Sequence, residues 1–130
     1  GAAVTVPLGL RTRTPELPVT VSRAPGQPDL YTITLPTGGR LQTYLDPGRP
    51  GANTVHFTFF TPSGSEQVID QAHARMTTPA GASRPLELLV ISPGHFAANT
   101  SLVPGRSTFT IDVTPDQGAP ISARFSQQIK

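Results

Sequence analysis

The 130-residue chain has no cysteine, no tryptophan, one methionine and one lysine. Without cysteine there is no disulfide, no thiolate zinc ribbon and no thiol nucleophile. Without tryptophan, any stacking on sugar rests on Tyr31 and Tyr44. Charged residues make up only 14% of the chain, ten basic against eight acidic. The bases are scattered from Arg11 to Lys130. A duplex-binding surface needs them clustered, because affinity follows the number of phosphates neutralised. Single-strand binding favours bases interleaved with aromatic rings. Neither pattern occurs, so nucleic acid is not an expected partner. No apolar run approaches the roughly 18 residues of a membrane helix. No basic segment leads into a long apolar stretch, so residues 1–28 do not read as a secretory signal. The phosphate loop, the dinucleotide fingerprint and the nucleophile elbow are all missing. Ser63 and Ser65 flank Gly64 near Glu66, which reads as a solvated hairpin loop. The chain is therefore expected not to be an enzyme.

What it has in excess is proline and glycine, 15 and 12 residues, about a fifth of the chain against an ordinary sum of roughly 12%. Five prolines (Pro7, Pro15, Pro18, Pro25 and Pro28) fall in residues 1–28. That density forbids a regular helix and confines any strand to a sheet edge. Residues 1–28 are read as a proline-rich tether or edge segment, and residues 29–130 as one domain.

From residue 29 the pattern has period two. Tyr31, Ile33 and Leu35 alternate with threonines; Val55, Phe57 and Phe59 alternate with His56 and Thr58. Phe109, Ile111 and Val113 alternate with Thr110 and Asp112, and Ile121, Ala123 and Phe125 with Ser122 and Arg124. Such alternation describes strands with one buried and one wet face. Pro-Gly recurs at 25, 47, 50, 93 and 104, where proline presets one turn torsion and glycine supplies the positive φ that follows it. Short strands separated by such turns predict an all-β fold, an Ig-like two-sheet β-sandwich of seven or eight antiparallel strands with a proline-rich N-terminal extension. The expected core is Val55, Phe57, Phe59, Leu88, Val90, Phe96, Phe109, Ile111, Val113 and Phe125. On the strand around "AHARM", His73 and Arg75 are expected to face outward, with Ala72, Ala74 and Met76 inward.

Chemistry is restricted to few side chains. The candidate metal ligands are His73, His95, Met76 and His56. No histidine pair has the i, i+4 spacing of a zinc helix. Imidazole and thioether together suit copper. His73 and Met76 are three apart and so point to opposite faces of a strand, while His95 follows the Pro93-Gly94 turn. The simplest alternative is that Met76 fills the core and His56 lies on a polar surface.

Two segments carry a family resemblance: "LDPGRPGANTVHFTFFTPSG" at 45–64 and "SPGHFAANTSLVPGRSTFTIDV" at 92–113. Together they resemble the extracytoplasmic β-sandwich domain at the C-terminus of actinobacterial CopD-type copper-resistance membrane proteins, and the small YtkA-like and FixH-like domains. The shared elements are the Pro47-Gly48 turn, Gly51-Ala52-Asn53 opening the strand Val55–Phe60, and Gly94-His95-Phe96 before Pro104-Gly105. The chain departs where relatives often carry tryptophan after the late glycine turn; here Arg106, Ser107, Thr108 and Phe109 follow. The resemblance covers about residues 29–130. It implies an exported accessory or interaction module, membrane-tethered in its full-length protein. The partner would be that protein's transmembrane part or another exported protein. It transfers no ligand set, and copper remains a possible ion rather than an assigned cofactor. A copper carrier using the histidines and Met76, and an adhesion or carbohydrate-binding sandwich, are the other readings.

Overall fold

The computed structural model describes residues 14–130, and these form two stacked antiparallel sheets with no helix among them. The ten strands are β1 (Val19–Ser22), β2 (Leu30–Thr34), β3 (Arg40–Asp46), β4 (Gly51–Phe60), β5 (Ile69–Thr77), β6 (Ser83–Leu86), β7 (Leu89–Ser92), β8 (His95–Leu102), β9 (Gly105–Pro115) and β10 (Ile121–Ile129). One sheet has the order β1-β2-β3-β4-β8-β7, the other β10-β9-β5-β6. The expected β-sandwich is thus present, with ten strands where seven or eight were expected. The surplus has two sources: a strand before residue 29, and a single expected strand around Leu86–Val90 that is split in two.

The split follows from a change of sheet. After β6 pairs with β5, the chain crosses at Glu87 and Leu88, and β7 pairs with β8 on the opposite layer. Leu86 stays buried and Leu88 packs only partly against the core, while Val90 is 70% exposed. The placement of Val90 in the core is therefore corrected. β7 is the outer edge of the wider, six-stranded sheet, so no facing strand covers it.

The rest of the core is as the alternation requires. Val55, Phe57 and Phe59 are fully buried from one sheet, and Phe109, Ile111 and Phe125 from the other. Phe125 stacks on Phe109 at 5.6 Å and meets Phe57 edge-on at 6.3 Å. Each such side chain contributes roughly 1.5–3 kcal/mol of burial, which lets the layers hold together without a disulfide. On β5, Ala74 and Met76 point inward and His73 and Arg75 outward, the expected register.

The described part of the N-terminal segment is tied to both sheets. β1 adds an edge to β2, and Glu16 forms a parallel bridge with Arg124. The Glu16 carboxylate accepts from Arg106 at 2.9 Å and lies 3.5 Å from Arg124. Residues 1–13 lie outside the described residues.

Candidate functional site

Period two places Tyr44 and His56 on the outer face of the six-stranded sheet, and the β3–β4 register sets them directly opposite each other. Their rings stack at 4.4 Å and are within 8° of parallel. β4 is also paired with β8, where His56 faces Ala97 and Thr58 faces His95. His95 is therefore the diagonal neighbour of His56, and the small Ala97 side chain leaves room for the rings to meet. His56 Nδ1 and His95 Nε2 lie 2.9 Å apart, one ring's N–H donating to the other's lone pair. Two of the four candidate ligands are thus brought together, separated by 39 positions in the chain.

The turn before β8 holds His95 in place. Glu66 reaches across so that its carboxylate accepts from Ser92 Oγ and from the Gly94 N–H, each at 3.0 Å. Phe59 N–H donates to Gly94 O at 2.9 Å, and Ile69 N–H to Pro93 O at 3.1 Å. Gly94 does not adopt the positive φ expected of a glycine after proline, although Gly26 and Gly48 do. Its requirement is proximity: a Cβ there would run into the Gln67 carbonyl oxygen. Glu66, expected in a solvated loop with Ser63 and Ser65, instead braces this turn. Asn53, from the resemblance segment, does the same for the β3–β4 loop. It accepts from Gly48 N–H at 2.6 Å and donates to Arg49 O and Gly51 O.

The other two candidates are elsewhere. His73 lies exposed on the outer face of the four-stranded sheet, opposite Asp112. Met76 is 1% exposed in the core, where its sulfur accepts from Thr100 Oγ1 at 3.7 Å. The six-stranded sheet separates Met76 from the His56–His95 pair, and both sheets separate His73 from it. Tyr31 and Tyr44 also diverge: Tyr31 pairs with inward-facing Thr43, whereas Tyr44 faces out. They offer no shared platform for a sugar ring.

Electrostatics favour neutral imidazole at His56. Burial lowers its pKa below the ordinary value, and the neighbouring His95 lowers it further against a weaker opposing pull from Asp46. A neutral ring has one lone pair, which faces its neighbour when the proton sits on the other ring nitrogen, so an ion held between Nδ1 of His56 and Nε2 of His95 takes the place of the hydrogen bond between them. The donor set fits a transition ion. Two nitrogens bound at about 2.0 Å and at right angles to one another are about 2.8 Å apart, close to the spacing found. Among the described residues no group of three or more histidine, cysteine, aspartate or glutamate side chains completes a cage, so this pair has open coordination positions. Tyr44 was not among the expected site residues; its only signal is its register opposite His56.

Two solved structures are similar to this fold. A DUF4426 family protein from Pseudomonas aeruginosa PAO1 has a TM-score of 0.53 and 16% identity, over 85% of this chain and 94% of that one. A DUF4785 family protein from Legionella pneumophila has a TM-score of 0.56 and 16% identity, over 71% of this chain. The chain spans about 28% of the length of that second protein. Identity at this level speaks for the β-sandwich alone. No protein-family model matches the chain. No curated protein matches it either.

Proposed function

We propose that this chain is a non-enzymatic, exported binding module of a copper-handling membrane protein. On this reading it offers copper a two-imidazole foothold at His56 and His95. The observation that carries the reading is the 2.9 Å contact between the two ring nitrogens on an outward sheet face. Neutral imidazoles bind copper ahead of the other first-row divalent ions. Tyr44 fixes the ring plane of His56 by stacking, and the Glu66-braced turn fixes His95. A pair with open positions suits an ion that is received and passed on, the remaining ligands coming from water or from the partner. The resemblance supports the extracytoplasmic setting and a partner in the same or another exported protein.

Titrating the full chain with Cu(II), followed by calorimetry and electron paramagnetic resonance, tests this. The expected result is one site with hyperfine coupling to two imidazole nitrogens, abolished by His56→Ala or by His95→Ala and retained by His73→Ala. Absence of binding, or equal loss with His73→Ala, overturns it.

A further inference from the structure

The two layers differ in width, and the strand crossing at Glu87 and Leu88 leaves half of one strand edge uncovered. β6 pairs with β5 only over Ala74–Thr77 before the chain leaves for the other sheet. The Ile69–His73 stretch of β5 is therefore paired on one side alone, with β9. Among the described residues no backbone group reaches Gln71, Ala72 or His73 from the other side. Contacts between the layers show what lies opposite. Thr100 Oγ1 donates to Met76 Sδ at 3.7 Å, so β5 faces β8, and the position beside β5 faces β7. Ile69 N–H donates to Pro93 O at 3.1 Å, which sets β7 level with the uncovered stretch. Val90 of β7 is paired with inward-facing Phe96, so its side chain is on the inner side of its sheet, yet it is 70% exposed. A cleft of about 350 Å³ marks the position. It is lined by the half-buried Ala72 and Leu88 and by the exposed His73, Arg75 and Pro85. Ala72 and His73 are on opposite faces of β5, so the cleft runs along the strand's edge.

Free main-chain donors and acceptors at a sheet edge are a template for another strand. The charges around this edge narrow what that strand carries. Asp70 stands at one end of the uncovered stretch and Glu87, which follows Leu86 opposite Ala74, at the other. Both are exposed, and neither has an ion-pair partner among the described residues. Arg75 is turned to Ser83 Oγ at 3.2 Å. We infer that this half-edge docks an extended segment of a partner protein in which apolar residues alternate with lysine or arginine. Added beside β5, the segment makes main-chain bonds to Gln71–His73. Its apolar side chains turn inward onto Leu88 and Val90, and its cations turn outward to Asp70 and Glu87. A second copy of this chain fits less well. Its edge strand β7, Leu89–Ser92, carries no cation, and joining two β5 edges brings the carboxylates of both copies to one seam. The docking edge is independent of the histidine pair and of any copper chemistry.

The test is a titration of the ¹⁵N-labelled full chain with the acetylated and amidated peptide Thr-Val-Lys-Val-Lys-Val-Thr, read by amide chemical shifts and amide exchange. Two controls run beside it: the same peptide with glutamate for lysine, and Val-Val-Val-Lys-Lys-Thr-Thr, which keeps the composition without the alternation. The alternating basic peptide is expected to give saturable shifts at Gln71, Ala72, His73 and Val90, and to slow exchange on the free side of Gln71–His73. Each control is expected to bind about tenfold more weakly. Val90→Asn, an exposed change, is expected to leave the melting temperature in place and to weaken the peptide about fivefold. Glu87→Gln is expected to weaken it about threefold, without weakening the glutamate peptide. The inference is overturned if the basic peptide gives no saturable shift, if its shifts map away from β5 and β7, if the controls bind as tightly, or if Val90→Asn leaves affinity unchanged. Shifts at Gln71–His73 and Val90 that follow the chain's own concentration, with no peptide added, would assign the edge to a second copy and overturn it as well.

Discussion

Replacing Glu66 by alanine removes both hydrogen bonds that its carboxylate accepts, from Ser92 Oγ and from the Gly94 N–H. A hydrogen bond to a charged group contributes about 1.5–3 kcal/mol when shielded. The Ser92 bond is exposed, and water substitutes for it at little cost. The Gly94 bond is partly buried, and the value there is nearer the lower end of that range. The expected loss is about 2 kcal/mol in total, or roughly 6–10 °C in melting temperature for a domain of this size. Urea unfolding followed by far-ultraviolet circular dichroism measures it. Glu66→Gln keeps an oxygen for Gly94 N–H and is expected to lose less than half as much.

The same substitution carries a second, sign-specific consequence. The turn that Glu66 braces sets His95 against His56, and His95 is one of the causes that lower the His56 pKa, after burial. A loosened turn withdraws that neighbour and admits water, so His56 in Glu66→Ala titrates closer to its ordinary value. Proton resonances of the imidazole Cε1–H follow this directly. A fall in stability with an unchanged His56 titration would mean that Glu66 supports the fold without positioning the pair. No fall at all would refute the bracing role.

Four further outcomes are expected. Val55 is fully buried and Val90 is 70% exposed, so Val55→Ala is expected to cost about 2–3 kcal/mol and Val90→Ala less than about 0.5; similar urea midpoints for the two would overturn the strand crossing at Glu87–Leu88. Phe125→Ala removes a ring engaged with both Phe109 and Phe57 and is expected to cost about 3–5 kcal/mol, seen as a large drop in urea midpoint or as loss of the folded state in circular dichroism. Because the folded pKa of His56 is depressed, the unfolded chain binds its proton more readily. The His56 contribution to stability is complete above the unfolded value of about 6.5 and is lost as pH falls through the lower folded value, so His56→Asn is expected to flatten that limb in a pH series of urea midpoints. Glu16, held below the usual carboxylate range by the nearby Ser126 hydroxyl and by Arg106 against some burial, contributes stability that is present above its unfolded pKa and lost as pH falls through the folded one; being about a third exposed, Glu16→Gln is expected to cost less than about 1 kcal/mol.

The layer architecture was legible because period two reports locally which side of a strand is wet. It placed Phe57, Ile111 and Phe125 in the core and His73 on the surface from neighbouring residues alone. Val90 shows where this stops. Alternation orients its side chain, but whether anything lies opposite depends on the facing sheet having a strand at that position. The candidate site was only partly legible for a related reason. His56 and His95 were both marked as chemistry-bearing, yet their pairing depends on β8 lying beside β4, a long-range neighbour choice that no local pattern encodes. Sequence proximity drew His73 and Met76 together instead, and the alternation separates them. Glu66 was hidden because its partners are a backbone N–H and a hydroxyl some 26–28 positions away.

The histidine face and the packed face of the sandwich differ in what a substitution there does to the fold. Tyr44, His56 and His95 lie on the face of the six-stranded sheet opposite the packed layer, so truncating them leaves Val55, Phe57 and Phe96 in place, and function separates cleanly from stability. Gln127 lies on the packed side, in register with Ser107 and two residues from Phe125. A polar side chain there opposes the apolar alternation of β10, which otherwise buries Ile121, Ala123, Phe125 and Ile129. Leucine in its place continues that alternation without leaving a donor unmade. The stability gained on making that change measures how far the native residue departs from what packing alone would select.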